Sequence, residues 1–94
     1  MSEVGVTVNV RGVVQGVGFR YWCYRKAREL ALRGYVANLY DGSVEVVAEG
    51  EKGIIEEFLK LLKVGPTYAQ ITDIKILRHE KLKGFKDFTI EYKD

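Results

Sequence analysis

Val4, Val6, Val8 and Val10 alternate with Gly5, Thr7 and Asn9 near the start of the chain. A period of two sets all four valines on one face, so residues 3–11 read as a strand whose valine face needs a second layer to cover it. The stretch Gly12-Val13-Val14-Gln15-Gly16-Val17-Gly18-Phe19-Arg20 then breaks the alternation with three glycines. Beyond it the apolar spacing becomes helical. Residues 20–33 suit a helix with Cys23, Ala27, Leu30 and Ala31 on one face and Arg25, Lys26, Arg28, Glu29 and Arg33 largely on the others. A strand feeding a helix through a glycine-rich loop therefore opens the fold.

The rest of the chain extends this pattern. Gly34 stands where a helix C-cap is expected. Tyr35 to Leu39 reads as a strand, Asp41-Gly42 as the turn of a tight hairpin, and Ser43 to Glu49 as the return strand. In that strand Val44, Val46 and Ala48 face inward, Glu45 and Glu49 face outward, and Gly50 ends it. A second helix from Gly53 to Lys63 buries Ile55, Phe58, Leu59 and Leu62 before Gly65-Pro66 stops it. Ile74 and Ile76 mark a fourth strand. After a charged linker over 79–87, Phe88, Ile90 and Tyr92 mark a short fifth one. The order predicts an α+β, ferredoxin-like βαββαβ sandwich: an antiparallel sheet with two helices on one face and a short extra C-terminal strand. Residues 1–94 make one domain, and the fold alone assigns no function.

Charge is unevenly distributed. From Arg11 to Arg33 six basic residues face a single acid, Glu29, a local +5, whereas the remaining nine basic and twelve acidic residues leave −3. The positive field thus centres on the glycine-rich loop and its helix, where it attracts a small anion; a solvated basic helix face is the plainer alternative. One cysteine, Cys23, excludes an intrachain disulfide and fits a reducing, cytoplasmic setting; among Trp22, Tyr24 and Ala27 it reads as a buried hydrophobe. No stretch approaches a membrane span and no signal-peptide pattern opens the chain. With two Asn, two Gln, one Cys and one Met beside abundant charge, the composition leans towards a thermophilic source.

The glycine-rich loop is the first candidate site. Backbone amides freed by Gly16 and Gly18, ahead of a helix N-terminus, form a concavity that favours an anion. Arg20 adds a planar fork that can grip a phosphate or carboxylate with two parallel bonds. An ordinary strand-to-helix turn with a surface arginine fits the spacing equally well. Other chemistry is scarce. His79, alone near the end of the fourth strand, reads as a surface or packing residue, and one Cys with one His excludes a Cys/His zinc site. Neither Ser2 nor Ser43 has a His–Asp pair nearby, and Glu56-Glu57 reads as a solvated helix face. An enzyme built from this inventory works by positioning and charge. Asn38 is the second candidate, since strand interiors disfavour asparagine. It either helps end its strand or holds a water with a neutral amide.

At these residues the chain resembles the acylphosphatase family. Val10 to Arg20 looks like the family's G-x-V-Q-G-V-x-F-R signature. Gly34-Tyr35-Val36-Ala37-Asn38-Leu39-Tyr40-Asp41-Gly42-Ser43-Val44, running on to Gly50, is similar to its G-aromatic-x-x-N-x-x-x-G-x-V pattern. Tyr40 stands where a proline often precedes Asp-Gly, a change that bears on turn rigidity. The resemblance covers nearly the whole chain. It implies metal-independent, cofactor-free hydrolysis of the carboxyl–phosphate bond of small acyl phosphates, with inorganic phosphate as product and competitive inhibitor. Arg20 would bind the phosphoryl group together with the amides of Gln15, Gly16, Val17, Gly18, Phe19 and Arg20, and Asn38 would orient the attacking water. The expected partner is a small molecule, with no nucleic acid and no membrane, acting on a monomer.

Three other readings compete with this one. RNA-recognition modules share the element order, and Lys83-Gly84-Phe85-Lys86-Asp87-Phe88 faintly resembles their aromatic motif. That segment follows the fourth strand, however, whereas the third strand, Val44 to Glu49, offers no aromatic platform and carries two acids. An acylphosphatase-like domain of a larger carbamoyl-transfer protein is a closer rival; the short chain favours a free-standing enzyme. A catalytically silent phosphate-binding regulator is the third.

Overall fold

The alternating valines do form the central layer. The computed structural model describes residues 2–92, with β1 (Glu3–Val13), α1 (Phe19–Glu29), β2 (Arg33–Asn38), β3 (Val44–Glu51), α2 (Lys52–Val64), β4 (Gln70–His79) and β5 (Phe88–Tyr92). The sheet order is β4-β1-β3-β2-β5. β1 pairs antiparallel with β3 and β4, and β2 antiparallel with β3. The four-strand ferredoxin-like sheet is therefore antiparallel, as expected, but β5 joins its β2 edge in parallel and makes the whole sheet mixed. The 80–87 segment carries the chain from β4 at one edge of the sheet to β5 at the other.

Val6, Val8 and Val10 of β1, Val36 of β2 and Val44, Val46 and Ala48 of β3 are fully buried. Their cover is Phe19, Cys23 and Ala27 of α1 with Ile55, Phe58, Leu59 and Leu62 of α2, all in one cluster. The four apolar positions expected for the second helix are those it buries. Phe88 closes the layer, its ring edge-on to Phe58.

α1 ends earlier than the helical spacing suggested, and Gly34 is not its cap. Ala31 takes φ 57, the Ala31 N–H donates to Arg28 O at 3.0 Å and the Leu32 N–H to Ala27 O at 2.9 Å. These are the two bonds of a Schellman ending with alanine in the position glycine usually fills. The reversal turns Leu32 into the core, which a helix continuing to Arg33 would not allow. Gly34 instead lies within β2 at φ 146, where a Cβ would collide with the Val47 carbonyl oxygen.

Glu49 also departs from expectation. Instead of facing solvent it is fully buried. Its carboxylate accepts from the backbone N–H of Lys83 at 2.6 Å, Gly84 at 3.1 Å and Phe85 at 3.4 Å. The charged linker thus folds across the face of the sheet opposite the helices, pinned there by one side chain. Phe85 meets the ring of Tyr35 edge-on, and Asp87 O accepts from the Gly34 N–H as β5 begins.

Candidate active site

The loop between β1 and α1 owes its shape to two left-handed glycines, Gly16 at φ 76 and Gly18 at φ 82. Gly18 is the N-cap of α1; it has no side chain to cap the first-turn amides, and that turn contains no acid. The N–H groups of Phe19, Arg20 and Tyr21 have no intrahelical acceptor at such an end, and the dipole adds positive potential. Phe19 anchors the helix start in the core, leaving Arg20, one residue on, half-buried at the loop's edge.

A cavity of about 230 Å³ opens here, lined by Gly16, Gly18, Phe19, Arg20, Asn38 and Tyr92 together with Val14, Tyr21 and Ile90. Arg20 from α1 and Asn38 from the end of β2 therefore line one cavity. The Oδ1 of Asn38 is buried and accepts no hydrogen bond from any described residue. Asn38 does end its strand, opposite Val44 on β3 and Tyr92 on β5. Val17 packs part-buried against the core.

Gln15 was expected to contribute a backbone amide; its side chain has a further task. Its Nε2 donates at 2.8 Å both to Leu39 O and to Ser43 O, tying the glycine loop to the β2–β3 turn. The turn is pinned from two more directions. Asp41 Oδ1 accepts from the Ser43 N–H at 3.0 Å and from its hydroxyl, Arg11 donates to Asp41 Oδ2 at 2.8 Å, and Asn9 donates to Ser43 Oγ at 2.9 Å. The Ser43 hydroxyl and N–H, with Arg11 behind them, bring the Asp41 carboxyl down to about 2. The two halves of the cavity, one on the loop and one on β2, are thereby held as one unit.

Other reactive groups lie elsewhere. Cys23 is fully buried, and desolvation pushes its thiol well above the ordinary range. His79 sits at the far end of β4, with Nε2 3.4 Å from Thr7 Oγ1 and Nδ1 3.4 Å from Lys81 O. Among the described residues no group of three or more His, Cys, Asp or Glu could hold a metal ion, and no helix is long and apolar enough to cross a membrane.

The chain as a whole has counterparts among known proteins. The acylphosphatase family model matches residues 6–90. The chain belongs to the acylphosphatase family. An acylphosphatase of Thermotoga maritima is 42% identical over 85 residues, which span 90% of this chain and 93% of that one. The crystal structure of acylphosphatase from Bacillus subtilis superposes with a TM-score of 0.92 at 37% identity, covering 95% of this chain and 99% of the other. Full-length HypF, in a phosphate- and nucleotide-bound form, contains a similar unit: TM-score 0.88 and 33% identity over 96% of this chain, but only 12% of HypF. The acylphosphatase fold thus occurs both as a short chain and within a much longer one.

The cavity residues that sequence reasoning missed are Val14, Tyr21, Ile90 and Tyr92. The last two stand on β5, and only the parallel pairing of β5 with β2 brings them beside Asn38. The alternation of Phe88, Ile90 and Tyr92 announced the strand; nothing local announced its neighbour.

Proposed function

We propose that this acylphosphatase-family enzyme hydrolyses the carboxyl–phosphate bond of small acyl phosphates, with Arg20 and the amides of residues 15–20 holding the phosphoryl group and Asn38 orienting the water. The observation that carries the reading is that Arg20 and Asn38 line the same cavity, the Asn38 side chain having a buried Oδ1 with no hydrogen-bond partner among the described residues. The first-turn amides and the guanidinium supply donors for three phosphoryl oxygens. The Asn38 amide holds a water with an oxygen lone pair directed at phosphorus. The water oxygen bonds to phosphorus as the bond from phosphorus to the acyl oxygen breaks, and the electron pair leaves with the carboxylate. A phosphoryl oxygen takes the water's proton, which fits a cavity where no described residue contributes a carboxylate or imidazole. A carboxylate is already a good leaving group, so positioning and charge stabilisation carry the catalysis.

Benzoyl phosphate hydrolysis in excess chelator tests the proposal. Arg20→Lys is expected to lower kcat/KM by about a hundredfold or more, because an ammonium cannot reproduce the fork. Asn38→Ala is expected to lower kcat by a similar factor while the competitive inhibition constant of inorganic phosphate stays within about threefold. Folded protein without activity would leave the silent phosphate-binding regulator as the reading. A parallel loss of phosphate binding in Asn38→Ala would assign that residue to the ligand or the loop instead of the water.

A further inference from the structure

On the phosphoryl-binding role proposed for Arg20, we infer that Tyr92 is its positioning residue, so that docking of β5 completes the site. Arg20 makes no ion pair with a carboxylate among the described residues, yet it must present its fork in one orientation. Its guanidinium carbon lies 5.2 Å from the centroid of the Tyr92 ring. A ring face attracts a guanidinium without using any of its N–H groups. A carboxylate in the same place would occupy those groups and cancel the charge that the phosphoryl oxygens need. An aromatic support is therefore the kind that holds this arginine and leaves it available.

The backbone of Tyr92 ties the same residue to the other half of the site. In the parallel β2–β5 register Tyr92 stands opposite Asn38. Its main chain lies beside the asparagine and its ring beside the arginine, so one residue fixes the spacing between them. Core packing does not account for an aromatic here, because Tyr92 is 80% exposed and lines the cavity.

Three variants at position 92 test this, assayed with benzoyl phosphate, with isothermal titration of inorganic phosphate as a readout independent of turnover. Tyr92→Phe keeps the ring and is expected to stay within about twofold of wild type in both. Tyr92→Leu preserves an apolar strand residue but not the ring face, and is expected to lower kcat/KM and phosphate affinity by about threefold to tenfold. Replacement by 3,4,5-trifluorophenylalanine retains ring size while depleting the face of electron density, and is expected to fall with the leucine variant. A fluorinated variant that behaves like Tyr92→Phe overturns the inference even if Tyr92→Leu is unstable, because the ring would then act by packing alone. Activity lost in Tyr92→Leu with phosphate affinity unchanged overturns it too. Wild-type protein that is inactive, or an Arg20→Lys variant with full activity, overturns the role of Arg20 itself and with it that of Tyr92.

Discussion

Ala31 shows how one residue can carry a local cost that the fold accepts. It holds φ 57 at the end of α1, a conformation in which an L side chain crowds the following carbonyl. The Schellman bonds and the burial of Leu32 offset that strain. Ala31 is itself exposed, so trimming its methyl removes no packing. Ala31→Gly is accordingly expected to stabilise the protein by about 0.5–1 kcal/mol, the relief being partly offset by the greater freedom of glycine in the unfolded chain. A urea titration reads this as a higher midpoint with unchanged slope; an unchanged or lower midpoint would mean that Ala31 bears no strain. The site residues divide in the same local way. Gly16, Gly18, Arg20 and Asn38 were legible as candidates because each is unusual for its own position. The side chain of Gln15 was not, because its acceptors, Leu39 O and Ser43 O, lie more than twenty residues away in the chain.

At the level of elements, periodicity carried most of the fold. β1 to β4 and both helices lie where apolar spacing placed them, with ends displaced by a few residues where caps and pairing decide. Pairing partners are non-local, and this is where the reading thinned. β5 was visible as a strand but not as the parallel neighbour of β2, so Ile90 and Tyr92 went unrecognised as cavity residues. Glu49 was hidden for the same reason. An alternating strand assigns it to the outer face, and only the returning 80–87 segment makes that face an interior. Its three backbone partners are all contributed by this strap, which leads directly into β5. Truncating the side chain removes the charged acceptor of all three amides at once. Glu49→Ala is therefore expected to cost about 3 kcal/mol, seen as a lower urea midpoint, with hydrogen exchange rising first in 83–88. A cost under about 0.5 kcal/mol would show that the strap is held by Phe85 and the Asp87–Gly34 contact instead.

For the whole molecule, the uneven charge noticed in the sequence resolves into two sets. Arg11 pairs with Asp41, Arg33 with Glu3 and Lys26 with Glu29. Arg20, Arg25 and Arg28 make no such pair among the described residues; they lie over the rings of Tyr92, Tyr21 and Tyr24. Tyr21 lines the cavity, so the Arg25 guanidinium, 5.9 Å from that ring, sits near its rim, and Arg28 continues the row along α1. Ring faces leave these charges unneutralised, and the net effect is a positive field along α1 and at the cavity rim. Such a field acts on encounter and leaves the chemical step alone. It also reaches only as far as the Debye length, which contracts from about 30 Å at 0.01 M to about 8 Å at 0.15 M ionic strength. Over that range kcat/KM for benzoyl phosphate is expected to fall about threefold with kcat unchanged. Arg28→Gln, away from the cavity lining, is expected to lower kcat/KM about twofold at low salt and to match wild type at high salt. If kcat/KM proves independent of salt, the row of guanidiniums acts only within the fold. A fall in kcat for Arg28→Gln would mean that this arginine shapes the site through α1 rather than through its field.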